Sequence, residues 1–439
     1  MPPTSTSSPP PPASPPPASP PSRRRPAIGA LTGLLAAALL LAAGCSTKSN
    51  TEAASSGQLA TGPGVTETTI KLGVLTDQTG PFAPASKDAQ AGRALYWDKK
   101  NAEGGVCGRK VEFLTRDHGY NVQRAVSAYA QMQPDVLAFQ EVLGSPVLAA
   151  LQPKLQTDKA LSLAASWSSQ LLSNPYLVIT GATYDVEAID GIAWLMHNKG
   201  LAKGDTIGHI FLQGDYGENA AAGSRAAAAQ YGLKLVEQQI KPTDADLTGQ
   251  ITALRGKGAK FVLLATTPSQ TASAVGVAAA TGYAATFLAA GPAYHPALLK
   301  TQVKDAIVHN LLVSTPVAPL SSNVPGATTV RQAYQAKYPN QPASVFVTYG
   351  YAQAMVTEQI LKAACDKGAL TRPGLQTAFH SLTHADTAGL VAPMDYSQTG
   401  QIPARQVYLA RPDPAVLGGL TQVQDLFTDP LATTFQPTP

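Results

Sequence analysis

The sequence lacks the patterns that most enzyme chemistry requires. The serine-nucleophile pattern Gly-x-Ser-x-Gly is absent, and so is the phosphate loop that ends in Gly-Lys-Ser or Gly-Lys-Thr. His380 and His384 stand four apart on a predicted helix, but no third ligand follows at a spacing typical of a metal site. A solvated helix face is the simpler interpretation. We therefore predict that the protein is not an enzyme and has no catalytic residue, no metal and no cofactor.

An excess of charge of one sign is also missing. The chain has 32 basic and 28 acidic residues. Three of the basic residues and none of the acidic ones fall in residues 1–44, which leaves 29 basic and 28 acidic residues in the rest of the chain. A chain so close to neutral offers no basic surface to nucleic acid, so we predict no nucleic-acid partner.

Residues 1–44 have the order of a signal peptide. Three arginines at 23–25 precede an uncharged run rich in Leu and Ala at 26–43, and small residues then lead directly to Cys45. This order resembles the bacterial lipoprotein signal, in which the cysteine receives a lipid and becomes the first mature residue. The alternative is a membrane anchor that is never cleaved. A run of about 18 residues is just long enough to span a bilayer. Twelve of the 36 prolines fall in residues 1–26, which predicts a disordered start or a start codon further downstream.

Lipidation of Cys45 predicts that the remaining chain works outside the cytoplasm, held at the cell membrane. Acyl chains stabilise membrane association by about 0.8 kcal/mol per buried methylene, so two or three of them form a durable anchor. Residues 45–67 contain mainly Ser, Thr, Gly and Ala, which predicts a flexible lipidated linker. ATP and nicotinamide cofactors are improbable partners in this compartment, whereas imported solutes are accessible.

Beyond the linker, short apolar segments alternate with helical ones. Ile70–Leu75 and Lys110–Thr115 have strand character, and Asp88–Ala102 between them has helical spacing. Parallel neighbouring strands need such a crossover, so this rhythm predicts βα units on a parallel sheet. The rhythm resumes after a break near Gly181, which predicts two α/β lobes with a cleft between them.

Several short motifs follow one another in a characteristic order. They are Ile70-Lys71-Leu72-Gly73 with Thr79-Gly80-Pro81, Asn101-Ala102-Glu103-Gly104-Gly105-Val106 with Gly108, and Asp215-Tyr216-Gly217. Each motif alone is common. In this order, with the lipoprotein leader and the two-lobe rhythm, the chain resembles the branched-chain amino-acid-binding proteins of ABC importers, the leucine/isoleucine/valine type of periplasmic binding protein. The resemblance covers roughly residues 68–410.

The resemblance implies an α/β fold of two βα lobes, each with a mostly parallel sheet, joined by three hinge crossings. Lobe 1 would comprise residues 68–183 plus 316–390, and lobe 2 would comprise residues 184–315 plus 391–439. Three connecting segments allow the lobes to close over a solute without unfolding. The candidate crossings lie at residues 181–185, 314–316 and 391–396.

Ligands of open parallel sheets bind beyond the carboxyl ends of the strands, near helix N-termini. The candidates there are Ser145, Ala165, Ser166, Trp167, Tyr184, Asp185, Tyr216, Thr266 and Tyr294. The resemblance implies that groups at Ser145, Ala165 and Trp167 hold a ligand carboxylate and that Tyr216 contacts the ligand. Structural interpretations stay open, since Ser145 also suits a helix cap and Tyr216 a surface turn.

The chain departs from the family where an acidic residue anchors the amino group of the ligand. The corresponding turn, residues 291–295, contains no carboxylate. Asp185 or Glu187 can supply the charge instead, although both equally suit the first turn of a helix. We therefore predict a small solute that is an amino acid or a related amide, aromatic or other organic compound.

Cys107 and Cys365 are the only cysteines besides Cys45. An even pair outside the cytoplasm is typical of a disulfide, and the resemblance places both residues in lobe 1. We predict that they are joined, and two separate buried thiols are the alternative.

Together these features predict an extracytoplasmic, monomeric lipoprotein that captures a small solute and delivers it to the permease subunits of an ABC importer. The permease and its ATPase are expected to be separate chains. A sensor that reports the solute to a membrane receptor is the alternative, and the sequence does not separate the two.

Overall fold

We describe the fold from a computed structural model, which describes residues 59–437. The predicted signal peptide at residues 1–44 and the predicted lipidation site, Cys45, lie outside these residues. Within residues 59–437, no helix combines the length and the apolarity that crossing a membrane requires.

Residues 59–437 contain fourteen strands, most of them short and buried. They are β1 (Ala60–Thr61), β2 (Thr69–Thr76), β3 (Lys110–Asp117), β4 (Ala138–Leu143), β5 (Ser162–Ala165), β6 (Leu177–Ile179), β7 (Thr206–Leu212), β8 (Lys234–Ile240), β9 (Phe261–Ala265), β10 (Thr286–Ala290), β11 (Leu311–Thr315), β12 (Ala369–Leu370), β13 (Val407–Pro412) and β14 (Leu420–Phe427).

The same residues form twelve α-helices, several with a cap residue or a proline in the first turn. They are α1 (Ala83–Ala102), α2 (Val122–Met132), α3 (Ser145–Thr157), α4 (Tyr184–Lys199), α5 (Asp215–Tyr231), α6 (Thr248–Gly256), α7 (Pro268–Ala280), α8 (Lys304–Asn310), α9 (Pro325–Lys337), α10 (Val345–Asp366), α11 (Arg372–Phe379) and α12 (Pro430–Thr434). Short 3₁₀ turns occupy Gln133–Asp135, Ser169–Leu171, Gly291–Ala293 and Pro296–Lys300.

The first lobe is built on a five-stranded sheet in the order β3-β2-β4-β5-β6, with every pair parallel. Strand β2 lies inside the sheet and pairs with β3 from Thr69 opposite Lys110 to Thr76 opposite Asp117. Its apolar side chains are fully buried because helices cover both faces of a parallel sheet. This arrangement brings the carboxyl ends of all five strands to one edge.

The second lobe is built on a seven-stranded sheet in the order β14-β13-β11-β10-β9-β7-β8. The five strands from β11 to β8 are parallel, and β13 and β14 add an antiparallel hairpin beside β11. Helices again separate consecutive parallel strands. The predicted α/β fold with two mostly parallel βα lobes is confirmed.

The chain passes between the two sheets three times, after β6, after β11 and before β13. Two passages meet at Gly181, where an added Cβ would lie 2.8 Å from Cβ of Pro316. The third passage follows Tyr396, a few residues later than predicted. Residues 391–396 stay with the first lobe because Met394 and Ala385 exchange backbone hydrogen bonds.

The folded part of the chain begins before the end of the predicted linker. Strand β1 pairs in parallel with β12, and the N–H of Gly62 donates to the carbonyl of Leu370 at 2.8 Å. Residues 59–67 of the predicted linker, 45–67, therefore pack on the first lobe. No local pattern marks this pairing, because a segment rich in Ser, Gly and Thr can pair through its backbone without burying apolar side chains.

Helices α1 and α10 pack so closely that glycine is required at two positions. A Cβ on Gly92 would lie 1.9 Å from the carbonyl oxygen of Val347, and a Cβ on Gly350 would lie 1.9 Å from that of Ala89. Cys365, in the last turn of α10, is joined to Cys107, which follows α1, with their Cα atoms 6.4 Å apart. This pairing agrees with the predicted disulfide, whose formation in the exported protein stays a prediction.

Candidate functional site

The principal cavity lies between the two lobes, at the carboxyl ends of the strands. It contains about 520 Å³ of space free of protein atoms, part of it open to solvent. Both lobes contribute to its walls, as the cleft prediction requires. The lining residues are Phe82, Ala85, Ser86, Ala89, Tyr120, Glu141, Leu143, Gly144, Ser145, Ala165, Trp167, Tyr184, Tyr216, Pro292, Phe346 and Tyr349.

Helix N-termini surround this cavity. Five helices, α1, α3, α4, α5 and α10, each place residues of their first two turns in its walls. Backbone N–H groups in a first turn have no partner inside the helix, and the helix dipole makes that end positive. The cavity is therefore suited to an anionic group although no lysine or arginine lines it.

Hydroxyl groups cluster where β4 leads into α3. Gly144 adopts φ +104° at this turn, and a Cβ there would lie 2.8 Å from Cε2 of Tyr120, so glycine is required. Ser145 then begins the helix, and its Oγ lies 2.7 Å from Oγ of Ser166. Burial raises the pKa of Tyr184, and hydrogen bonds from Trp167, Ser166 and Ser145 oppose that rise. The hydroxyls of both lobes thus converge at one end of the cavity.

Aromatic rings form a further part of the wall. Trp167 is 3% exposed and donates its indole N–H to the carbonyl of Thr180 at 2.7 Å. Its ring lies 5.9 Å from that of Tyr184 and 4.7 Å from that of Tyr349, and Tyr184 lies 4.6 Å from Tyr216. These contacts fix the rings before a ligand arrives, so little side-chain entropy is lost on binding.

Five of the nine predicted ligand-binding residues line the cavity: Ser145, Ala165, Trp167, Tyr184 and Tyr216. Ser166 stands behind Ser145. Thr266 and Tyr294 do not line it, because Thr266 bonds Thr271 at 2.8 Å and the Tyr294 hydroxyl donates to the carbonyl of Gly419 at 2.7 Å. Both side chains are buried in the second lobe.

Asp185, the remaining predicted residue, also lies outside the cavity. One of its carboxyl oxygens accepts hydrogen bonds from Ser169 at 2.6 Å and Asn219 at 3.1 Å. The other accepts from the hydroxyl of Thr183 and from the N–H of Val186. Burial raises the pKa of Asp185, and these donors oppose the rise. Its carboxyl group joins the lobes behind the cavity and has no free position for a ligand amine.

Polar contacts hold the two lobes together around the cavity. Asn219 of the second lobe donates to Oγ of Ser169 at 2.7 Å, and the Ser169 N–H donates to Oδ1 of Asn219 at 3.3 Å. On the other side, His295 of the second lobe lies 3.3 Å from Asp88 of the first. The structure is therefore a closed arrangement of the lobes.

Glu187 lines a second, smaller cavity inside the second lobe, and Tyr184 borders both cavities. One carboxyl oxygen accepts from the N–H of Gly291 at 2.9 Å, and the other has no partner among residues 59–437. Burial raises the pKa of Glu187 to about 8. Burial also raises the pKa of Asp190 to about 8. Both groups are therefore largely protonated in the folded protein at neutral pH.

This titration makes stability depend on pH. Glu187 ionises near its ordinary value of 4.5 in the unfolded chain but near 8 in the folded protein. Between these values the folded state keeps a proton that the unfolded chain releases, so the free energy of unfolding falls as pH rises from 4.5 to 8.

We expect Glu187→Gln to flatten that fall. The amide oxygen still accepts from Gly291 but cannot ionise, so at pH 8.5 the variant should be more stable than the wild type by about 3 kcal/mol. Urea unfolding between pH 5 and 9 measures this difference. Part of the dependence of stability on pH remains in this variant because the pKa of Asp190 is raised similarly. The control is Glu112→Gln, at an exposed position of the edge strand β3, and it should keep the wild-type dependence on pH. Equal slopes in the wild type and Glu187→Gln would contradict the assignment.

Sequence reasoning missed much of the apolar wall. Phe82, Phe346 and Tyr349 line the cavity from the first turns of α1 and α10. Their helical spacing is the same as that of ordinary core residues, so no local signal marked them. Glu141 was missed because it lies inside strand β4, where a side chain facing the core is expected to be apolar.

The two histidines noted in the sequence do not share a helix face, because α11 ends at Phe379. His380 bonds the carbonyl of Tyr396 at 2.8 Å through Nδ1, and His384 is exposed. No group of three His, Cys, Asp or Glu side chains in the described part of the chain is placed to hold a metal ion.

Comparisons with known proteins agree with this architecture. The family model described as periplasmic binding protein matches residues 69–415. A Leu/Ile/Val-binding protein homologue of Brucella abortus is 25% identical over 324 residues, covering 67% of this chain and 76% of the relative.

Two solved structures have the same fold. A fatty acid ABC transporter substrate-binding protein from Thermomonospora curvata is 40% identical, with a TM-score of 0.84, and the match covers 86% of this chain and 97% of that one. A branched-chain amino acid ABC transporter structure from Thermus thermophilus with bound valine is 18% identical, with a TM-score of 0.73, covering 84% and 99% of the two chains.

Proposed function

This chain belongs to the periplasmic binding protein family, whose importer-associated members bind solutes outside the cytoplasm, and from that premise we propose the class of its solute. The protein captures a small carboxylate with an apolar body in the interlobe cavity and delivers it to the permease of an ABC importer. Lipid at Cys45 holds it at the membrane. The observation that carries this proposal is a cavity with apolar and aromatic walls and several helix N-termini around it.

The small number of charged residues in the cavity wall supports a solute with an apolar body. Among residues 59–437, Glu141 is the only acidic or basic residue that lines it, and its carboxyl group is paired with Arg93 at 2.9 Å. Asp185 is occupied by its own donors, and Glu187 faces the second cavity. A free amino acid would find no unpaired carboxylate for its ammonium group among these residues. The cavity therefore favours solutes whose affinity derives mainly from apolar contact.

Helix N-termini and hydroxyl groups donate hydrogen bonds to the carboxylate of the solute. Micromolar affinity requires about 8 kcal/mol, and each hydrogen bond to a charged ligand group contributes about 1.5 to 3 kcal/mol. Three such bonds from Ser145, Tyr184 and first-turn N–H groups, with burial of an apolar chain against Trp167 and Tyr216, reach that range after the costs of ordering.

The relatives point in the same direction. The Thermomonospora protein carries a name that refers to fatty acids, and the Thermus structure holds valine. Both compounds are carboxylates with an apolar chain. We place the solute of this protein in that shared class and nearer to the fatty acids, because the nearer relative in identity and TM-score is the Thermomonospora protein.

A thermal-unfolding screen tests the proposal. The panel contains straight-chain carboxylic acids of four to twelve carbons, the branched-chain amino acids, and sugars as compounds outside the class. A ligand at a hundred times its dissociation constant stabilises the folded state by about 2.7 kcal/mol. We expect the carboxylic acids to raise the melting temperature most, and a panel in which only sugars stabilise the protein would refute the class.

A variant that fills the cavity shows where the solute binds. Ala165 lies at the end of β5 in the cavity wall and is partly exposed, so Ala165→Phe places a ring in the ligand space. We expect this variant to fold and to lose the ligand-induced rise in melting temperature. The matched control is Ala229→Phe, which adds the same ring on an exposed position of α5 and should keep the full rise. A full rise in Ala165→Phe would move the binding site elsewhere.

Import and sensing are separated by an uptake assay. Cells that lack the protein should accumulate less of the radiolabelled acid that stabilises it, and normal uptake in such cells would favour the sensor.

A further inference from the structure

One buried polar atom in the wall of the principal cavity has no partner. Glu141 lies in β4 with 0% of its surface exposed, and its Oε2 accepts a hydrogen bond from Nη1 of Arg93 at 2.9 Å. Oε1 of the same carboxyl group has no hydrogen-bond partner among residues 59–437. Glu141 lines the principal cavity.

Three donors of the first lobe already have acceptors, whereas Nε2 of the buried His118 has none among residues 59–437. The Tyr349 hydroxyl donates to the carbonyl of Ala164 at 2.8 Å, and the Ser86 hydroxyl lies 2.6 Å from that of Thr76. The indole N–H of Trp97 points to Gln140 at 3.2 Å. Burying a carboxylate oxygen without a donor is unfavourable, and such atoms in native proteins are usually satisfied by a ligand or a water molecule.

We propose that Oε1 of Glu141 accepts a hydrogen bond from the bound solute. This inference rests on the proposed function and narrows the solute to apolar carboxylates that also carry a neutral donor, such as a hydroxyl or an amide N–H. Glu141 is then a specificity-determining residue, and the carboxylate of the solute binds at the helix N-termini, away from its negative charge.

A second atom supports a solute with two polar groups. The hydroxyl of Tyr216, in the first turn of α5, also lines the cavity and has no partner in the described part of the chain. Glu141 belongs to the first lobe and Tyr216 to the second. A carboxylate oxygen only accepts, whereas a phenol can donate. A solute with one donor and one acceptor therefore satisfies an atom of each lobe, which favours the closed arrangement.

Matched pairs of compounds test the contact by calorimetric titration. 2-Hydroxy-4-methylpentanoic and 4-methylpentanoic acids share a carbon skeleton and differ in one hydroxyl, and 12-hydroxydodecanoic and dodecanoic acids differ in the same way. We expect the member with the donor to bind the wild type at least about tenfold more tightly in one or both pairs. In Glu141→Gln that ratio should fall at least about fivefold, because a neutral amide is a weaker acceptor.

A second variant protects the test against misfolding, since Glu141→Gln leaves Arg93 unpaired. Replacing both residues by methionine, as Arg93→Met/Glu141→Met, removes the two charges together, and this kind of change is often tolerated. The ratio within each pair should approach one in this variant. Tyr216→Phe should weaken both members of a pair more nearly equally.

The outcomes separate the two hypotheses. If dodecanoic or 4-methylpentanoic acid binds but the added donor gives no gain, or if the gain survives in both Glu141 variants, a trapped water satisfies Oε1 and the inference is wrong. If no member of either pair binds, the proposed solute class itself fails, and the inference fails with it.

Discussion

The double variant Cys107→Ser/Cys365→Ser is expected to lose about 4 kcal/mol of unfolding free energy relative to the oxidised wild type. The two cysteines are 258 residues apart, and a bond across so long a loop removes many conformations from the unfolded chain. Urea unfolding with and without reductant measures the loss. Reduced wild type should behave like the double variant, because serine replaces each thiol with little change in volume.

Ligand binding is the control for this experiment. The disulfide joins Cys107, five residues after α1, to Cys365 in the last turn of α10, whereas the cavity is lined by the first two turns of these helices. A ligand that stabilises the wild type should therefore bind the double variant with similar affinity. Two alkylatable thiols in the exported protein without reductant would contradict the pairing, and so would equal stability of the oxidised and reduced forms.

Arg93→Ala is expected to destabilise the protein by about 3 to 5 kcal/mol, because it leaves the carboxyl group of Glu141 buried without its cation. Arg93 is 4% exposed and Glu141 is 0% exposed, so water does not reach the pair readily. The guanidinium group also lies 5.5 Å from the ring of Phe113, a contact that the variant loses. Chemical denaturation at pH 7 measures the change.

The matched control is Arg93→Met/Glu141→Met, which removes both charges and keeps most of the volume. It should be much more stable than Arg93→Ala, since neither partner is left unpaired. Lys362→Ala is a second control, because Lys362 forms an exposed pair with Asp366 at 3.1 Å, and such pairs contribute about 0 to 1 kcal/mol. Similar losses in Arg93→Ala and Lys362→Ala would show that Glu141 is not effectively buried.

Much of the fold could be predicted because its signals are local. The alternation of strands such as Ile70–Leu75 with helices such as Asp88–Ala102 specifies parallel βα units, and the structure has β2 and α1 at these places. The number of lobes followed from the repetition of that rhythm. The third passage between lobes was placed too early, because tertiary contacts at Met394 rather than local sequence determine it.

The site was predicted in part for a similar reason. Strand ends followed by Ser145 or Tyr184 are visible in sequence, because caps and turns have characteristic residues. Whether a polar side chain faces the cleft depends on its partners in space. The carboxyl group of Asp185 accepts hydrogen bonds from Ser169 and Asn219, and Asn219 lies 34 positions away along the chain. No pattern along the chain reveals such a partner, and the same holds for Arg93 and Glu141, 48 positions apart.

The pairing of β1 with β12 has a consequence for the proposed delivery of the solute to a permease. Strand β12 follows the C-terminal end of α10, and the N-terminal end of that helix borders the principal cavity. A helix of 22 residues is about 33 Å long, so the tether leaves the body far from the cleft mouth. The fourteen residues from Ser46 to Leu59 can extend to at most about 50 Å. With the proposed lipid at Cys45 in the membrane, the folded body can rotate until the mouth of the cleft faces the bilayer, while the lipid stays in the membrane.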